Sequence, residues 1–208
     1  MTQTQSRDDV VEPDYPEEPR RILVADDEHL VAQGVVAALQ SLGLEVIGPC
    51  RDGEEAINQC RADRPDLALV DIQMPGINGV EAARRIFAEL EIPVVILSAF
   101  SGDEYLRDSG EAGVFGYLLK PANQDQLRAG LAVAWQRFLD YMDQRSQIID
   151  LKKRLEDRKV IEQAKWIVVS RKEVTEPEAM KLLQKQSRST RQSLVEVAKA
   201  VIDSDKLL

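Results

Sequence analysis

The chain has 208 residues, 44% of them apolar, and a net charge of −9, which is enough for one domain with a smaller second one and a real core. No stretch approaches the ~18 uninterrupted apolar residues of a membrane helix, so no membrane-spanning helix is expected. Two cysteines (Cys50, Cys60) and one histidine (His29) argue against a disulfide framework or a zinc site and fit a reduced, cytoplasmic compartment.

Residues 1–19 carry six acids and three prolines with no apolar run, so a solvated, disordered acidic tail is expected rather than a signal peptide. From Arg20 onward, short runs rich in Val, Ile and Leu alternate with helical periodicity. The runs are Ile22–Ala25, Glu45–Gly48, Leu67–Val70, Val94–Leu97 and Gly116–Leu119, as expected of strands buried on both faces. Between them, sets such as Val31, Val35, Ala38, Leu39 and Leu42 make one apolar helix face. Five βα units imply a parallel sheet with helices on both sides, and an α/β domain over 20–135.

After Pro121 helical spacing takes over. Leu131, Ala134, Phe138, Tyr141, Ile148, Leu151 and Leu155 follow three- and four-residue steps, with Arg145 at one seam position. This heptad-like stripe predicts a dimeric coiled-coil linker over 136–154, unless its first half packs onto the sheet. Over 155–208 three helices are expected. The first buries Val160, Ala164, Ile167 and Val168; the second opens at Thr175 with Glu178 completing a capping box. A third is expected from Ser189, with Gln192 as its reciprocal cap, presenting Leu194, Val197, Ala198, Val201 and Ile202. Charge divides along the same line: 13 basic against 26 acidic residues over 1–145, net −13, and 14 against 10 over 146–208, net +4. A basic C-terminal module in an acidic chain suits a polyanion partner or a solvated helical surface.

The chemistry concentrates where open parallel sheets place it, at the carboxyl ends of strands. Asp26 and Asp27 end the first strand and Asp71 the third. Three carboxylates together are costly unless a cation binds or their pKa values rise. Oxygen-only ligation suits Mg²⁺, with the carbonyl of Gln73 as a further ligand. Asp71 is the expected nucleophile, forming an acyl phosphate. Lys120 would neutralise phosphoryl charge and Ser98 would donate to a phosphoryl oxygen, with Tyr117 nearby.

These residues, with Met74-Pro75-Gly76 behind Asp71, Ala99 after Ser98 and Pro121 after Lys120, resemble the receiver domain of two-component response regulators. The resemblance covers roughly Arg20 to Phe138. It implies a flavodoxin-like sheet of order 2-1-3-4-5, phosphotransfer from a sensor histidine kinase to Asp71, and a cis Lys120–Pro121 bond. It also implies that Ser98 follows the phosphoryl group while Tyr117 turns inward, remodelling the face of the fourth and fifth helices. The transfer is regulatory, so no metabolic enzyme is expected.

The stretch from Leu155 to Ile202 is similar to the ANTAR domain of transcription antitermination regulators. Leu155 to Lys165, Thr175 to Ala179, Leu182, Ser187 to Arg191, and Val197-Ala198 carry the similarity. That family implies binding of paired RNA stem-loops in nascent transcripts and dimerisation on phosphorylation. Lys165, Arg188 and Arg191 are the expected RNA contacts, with Lys199 a fourth candidate. Trp166 stands where the family usually has glycine; it is expected to fill the module's core, or else to stack on a base. A DNA-binding regulator and a protein-binding adaptor are the alternatives. No glycine lies between Val168 and Leu208 for a helix-turn-helix, which argues against the former.

Overall fold

The computed structural model describes residues 15–99 and 113–206. Five strands, β1 (Arg21–Ala25), β2 (Glu45–Cys50), β3 (Leu67–Asp71), β4 (Val94–Ser98) and β5 (Val114–Leu119), form one parallel sheet. Its order is β2-β1-β3-β4-β5, a flavodoxin-like receiver arrangement. The helices are α1 (His29–Ser41), α2 (Gly53–Asp63), α3 (Gly79–Leu90), α4 (Gln124–Lys172), α5 (Glu176–Thr190) and α6 (Leu194–Lys206). The helix expected between β4 and β5 lies outside the described residues.

β3 and β4 are buried along their whole length, as their unbroken apolar sequence requires. Leu23, Ala25, Ala68, Val70, Val94 and Ile96 join Ala56, Ile57 and Cys60 of α2 and Ala82, Ala83 and Ile86 of α3 in one core. Their neighbours Ile22, Val24, Leu67, Leu69, Val95 and Leu97, equally buried, face the other side by the two-residue period of a strand. There a Cβ at Gly116 would touch Ala134 of α4 and Val95. Caps fix the helix starts: Asp52 accepts from Glu55 N at 2.8 Å and Asn78 from Glu81 N at 2.9 Å.

Tyr15 and Pro16, expected as part of the solvated tail, meet α4. Trp135 Nε1 donates to the Pro16 carbonyl at 3.1 Å, and the Tyr15 ring meets Phe138 edge-on at 4.9 Å. Phe138 also meets Phe87 and Phe115 edge-on. Nothing in the composition of the tail signals this aromatic anchor, because it depends on two residues more than a hundred positions away.

The chain divides into two compact units, ending at Tyr141 and beginning at Met142, within α4. On α4, Leu131, Ala134 and Phe138 are buried in the first unit, so the first half of the heptad-like stripe packs the helix onto the sheet. Ile148, Leu151 and Leu155, its second half, are more than half exposed in the single chain.

The second unit is a three-helix module around Ala164, Val168, Ala179, Leu183, Val197, Ala198 and Ile202. α5 opens at Thr175 with the capping box expected for it. The third helix differs from expectation. Ser189 lies inside α5, which ends at Arg191 in the left-handed region (φ 57°). The cap of α6 is Ser193: its N–H donates to Glu196 Oε2 at 2.6 Å, and Glu196 N donates to its hydroxyl at 3.2 Å. Two Ser-x-x-Gln/Glu patterns follow one another, at 189–192 and 193–196, and the ionised glutamate is the stronger reciprocal acceptor. Among the described residues no helix is long and apolar enough to cross a membrane.

Candidate phosphoryl-transfer site

Register assembles the site. β1 lies beside β3 with Ala25 opposite Val70, so the residues that follow, Asp26 and Asp71, emerge side by side. On the other flank Asp71 pairs with Leu97 and Ser98 with Leu119, and Lys120 N donates to the Ser98 carbonyl at 2.8 Å. Asp26, Asp27 and Asp71 each offer an oxygen within 4.8 Å of the others. Asp26 and Asp71 are buried while Asp27 is exposed.

Lys120 Nζ reaches Asp26 Oδ2 at 2.7 Å, Asp71 Oδ2 at 3.1 Å and Glu28 Oε1 at 3.9 Å. Burial works against its charge, but the close carboxylates of Asp26 and Asp71 outweigh it, and its pKa rises. Burial pushes the Asp71 carboxyl up; the Lys120 ammonium opposes this, Asp26 adds to it, and the net direction is upward. A cavity of about 190 Å³ opens over these groups, with Asp27, Gln73, Ser98 and Glu28 in its lining.

The donor set fits a divalent hard cation. Three carboxylates face one ammonium, all donors are oxygen, and Asp26 Oδ2 is buried with no well-angled hydrogen bond. Its 2.7 Å neighbour Lys120 Nζ is shared with Asp71 at 3.1 Å, so one ammonium stands against both buried carboxylates. Such a residue of negative charge and open oxygen is what Mg²⁺ compensates.

Of the predicted residues, Asp26, Asp27, Asp71, Gln73, Ser98 and Lys120 converge. Tyr117 sits on β5 opposite Ile96, half-buried against the core and outside the cavity lining. The Lys120–Pro121 bond is cis. Two participants were not anticipated. Glu28 extends the acidic pair to Asp-Asp-Glu and donates its N–H to Asp26 Oδ1 at 3.0 Å. Gly79 opens α3 so close to β3 that a Cβ there would stand 2.0 Å from the Asp71 carbonyl oxygen, while its N–H donates to Ile72 O at 3.0 Å.

In the helical module, Arg188 and Arg191 are exposed at the end of α5, and Lys199 is exposed on α6. Lys165 is held by Glu162 at 2.5 Å and Glu176 at 3.1 Å, and only 13% of its side chain is exposed. Trp166 does not fill the core: it is 53% exposed. Ala164 and Val168 form the buried face of α4, and position 166, two residues from each, falls about 200° round the helix on the opposite side. Its ring lies under Lys165 Nζ, 5.9 Å from the centroid.

Comparisons with known proteins agree with both halves. Residues 22–132 match the response regulator receiver domain and residues 150–202 the ANTAR domain. The transcriptional regulatory protein PdtaR of Mycobacterium tuberculosis is 33% identical over 186 residues, covering 89% of this chain and 91% of that protein. Among solved structures, the signal receiver domain of a modulated diguanylate cyclase from Desulfovibrio desulfuricans is 34% identical with a TM-score of 0.53. The match covers 58% of this chain and 96% of that one. The chemotaxis response regulator CheY4 of Vibrio cholerae is 27% identical with a TM-score of 0.50, over 58% and 98%.

Proposed function

The chain belongs to the response regulators that join a receiver domain to an ANTAR domain, and on that premise we propose that it is a phosphorylation-controlled RNA-binding antitermination regulator. Asp71 accepts a phosphoryl group from a sensor histidine kinase, and the change is read out by the module over 155–208 as binding of RNA stem-loops in nascent transcripts. The observation that carries this is the clustering of Asp26, Asp27 and Asp71, with Lys120 against the first and last of them, at a cavity of about 190 Å³.

One carboxylate oxygen of Asp71 attacks phosphorus as the phosphorus–nitrogen bond of the phosphohistidine breaks, and the ring nitrogen leaves with the electron pair. Lys120, already charged and within 3.1 Å of that carboxylate, neutralises the phosphoryl oxygens. Ser98, buried beside them, donates to one. Asp26, Asp27, Asp71 and the carbonyl of Gln73 would hold Mg²⁺, which when bound neutralises charge on the transferring group. Tyr117, half-buried on the same sheet edge, moves inward as Ser98 is drawn to the phosphate.

The exposed Ile148, Leu151 and Leu155 give α4 a seam for a second copy, so phosphorylation acts in part through a homodimeric coiled coil over 136–154. To raise the active fraction from about 1% to 99%, the modification must favour the active state by roughly 5.5 kcal/mol. Mobility-shift assays with a two-hairpin leader RNA test the proposal. Acetyl phosphate with Mg²⁺ should tighten RNA binding and raise the hydrodynamic mass, and duplex DNA should compete poorly. Equal RNA affinity and mass with and without phosphorylation, or preference for DNA, would contradict it.

A further inference from the structure

Four cations of the helical segment are already neutralised. Arg154 pairs with Asp150, Lys159 with Glu156, Arg171 with Asp205, and Lys165 with two glutamates. α5 is different. Lys181, Gln184, Lys185, Arg188 and Arg191 are all exposed. Their spacing of i, i+3, i+4, i+7 and i+10 places them in one stripe, opposite the face that buries Ala179 and Leu183. Both acids of the helix, Glu176 and Glu178, are in its first turn, where they serve the helix dipole and the cap. Beyond that turn the stripe contains no carboxylate, and none of its four cations is in an ion pair among the described residues.

The contrast with α4 is instructive. Lys152, Lys153 and Arg158 are exposed too, but Asp150, Glu156 and Asp157 lie among them at one to two turns, so no single-sign stripe forms. On α5 the stripe runs about 15 Å from Lys181 to Arg191, enough to follow roughly four phosphates of one strand. It carries ammonium, guanidinium and amide groups and no aromatic ring, so it has nothing on which to stack a loop base.

We propose that the outward stripe of α5 (Lys181, Gln184, Lys185, Arg188, Arg191) is a clamp for the sugar–phosphate backbone of the paired RNA stem. This rests on the RNA-binding reading above and sharpens it. Arg188 and Arg191 act with Lys181 and Lys185, and Lys165 positions α4 against α5 instead of touching RNA. The clamp reads backbone spacing, so it contributes affinity without sequence preference.

The test is the salt dependence of binding by the full chain, with and without acetyl phosphate and Mg²⁺, to a labelled RNA hairpin and to a hairpin with the stem sequence scrambled but still paired. In the triple variant Lys181→Gln, Lys185→Gln, Arg188→Gln, the slope of log K against log salt should fall by about two to three, with the same fold-loss for both stems. Gln184→Lys, which adds a cation inside the stripe, should raise the slope by about 0.7–0.9, and Lys165→Gln should leave it unchanged. All these positions except Lys165 are fully on the surface, so folding is preserved, and Gln184→Lys tests the stripe without removing any group. If the wild type binds RNA and neither the triple variant nor Gln184→Lys alters the slope, the clamp is overturned and the RNA reading stands. If the wild type retains neither hairpin at low salt in either state, both are overturned, and the stripe is left for an acidic protein partner.

Discussion

Replacing Lys120 by methionine isolates the electrostatics of the receiver site. The side chain is 9% exposed, and it faces the carboxylates of Asp26 and Asp71, at 0% and 7%. Removing one partner of a buried pair typically costs about 3–5 kcal/mol, because the charge left behind stays desolvated. Here the loss is bounded by protonation: Asp71, already shifted upward by burial and Asp26, would take up a proton. About 3 kcal/mol at neutral pH is expected in metal-free protein. The sign with pH follows from linkage. A carboxyl whose pKa is raised in the folded state binds more protons there than in the unfolded chain, so its unfavourable contribution is absent below the ordinary carboxylate range and grows as pH rises. The deficit of the variant should therefore shrink on acidification. Mg²⁺ should do the opposite of what a simple lesion predicts. With three carboxylates and no ammonium, the variant should bind the cation at least tenfold more tightly, about 1.4 kcal/mol, and recover more stability from it than the wild type. Urea unfolding followed by Trp135 fluorescence in a Trp166→Phe background, with and without MgCl₂, measures both quantities. A variant as stable as the parent without metal, or one that gains less from Mg²⁺, would refute this electrostatic reasoning.

Other outcomes follow from particular contacts. Gly79→Ala should lower receiver stability by about 1–3 kcal/mol and slow acceptance of a phosphoryl group, since its Cβ meets the Asp71 carbonyl; Gly34→Ala, with open space around it in α1, should stabilise by about 0.5–1 kcal/mol. Cys50 and Cys60, each raised from 9.0 to about 12 chiefly by burial, should alkylate about a thousandfold more slowly than an unfolded thiol at mildly alkaline pH; because the folded pKa is the higher one, their contribution to stability is intact below about pH 9 and declines toward 12. Trp166→Ala should cost less than about 1 kcal/mol in thermal unfolding, against the 3–5 expected of a core indole. Tyr15→Ala should red-shift Trp135 emission by opening the aromatic anchor to water.

The sheet was legible because parallel strands buried on both faces leave unmistakable apolar runs, and because β1 and β3 run straight into carboxylates. Asp26 and Asp71 declared themselves in this way. Glu28 did not: it follows the strand, is 65% exposed at its side chain, and joins the site only through the turn that points it back at Lys120. Gly79 was equally silent, since its role is the absence of a Cβ where α3 crosses the end of β3, and a glycine at a helix start has many other causes. Trp166 misled because a large apolar residue in a small module suggests core, whereas its position two residues from the buried Ala164 and Val168 turns it to the opposite face of α4. The start of α6 falls at the second of two capping patterns that follow one another, and only the geometry of the α5 terminus at Arg191 selects between them. The α5 stripe was half visible: Arg188 and Arg191 stood out by charge, but their continuity with Lys181 and Lys185 needed the buried face to be fixed first.

The most direct measurement is intact-mass analysis of the purified chain after incubation with acetyl phosphate, with and without Mg²⁺, beside the Asp71→Asn variant. A single phosphoryl adduct that forms on the wild type, requires Mg²⁺ and is missing from the variant is the expected result. An unmodified wild type, or an adduct that persists when Asp71 is asparagine, would contradict the assignment of the acidic cluster as a phosphoryl-accepting centre.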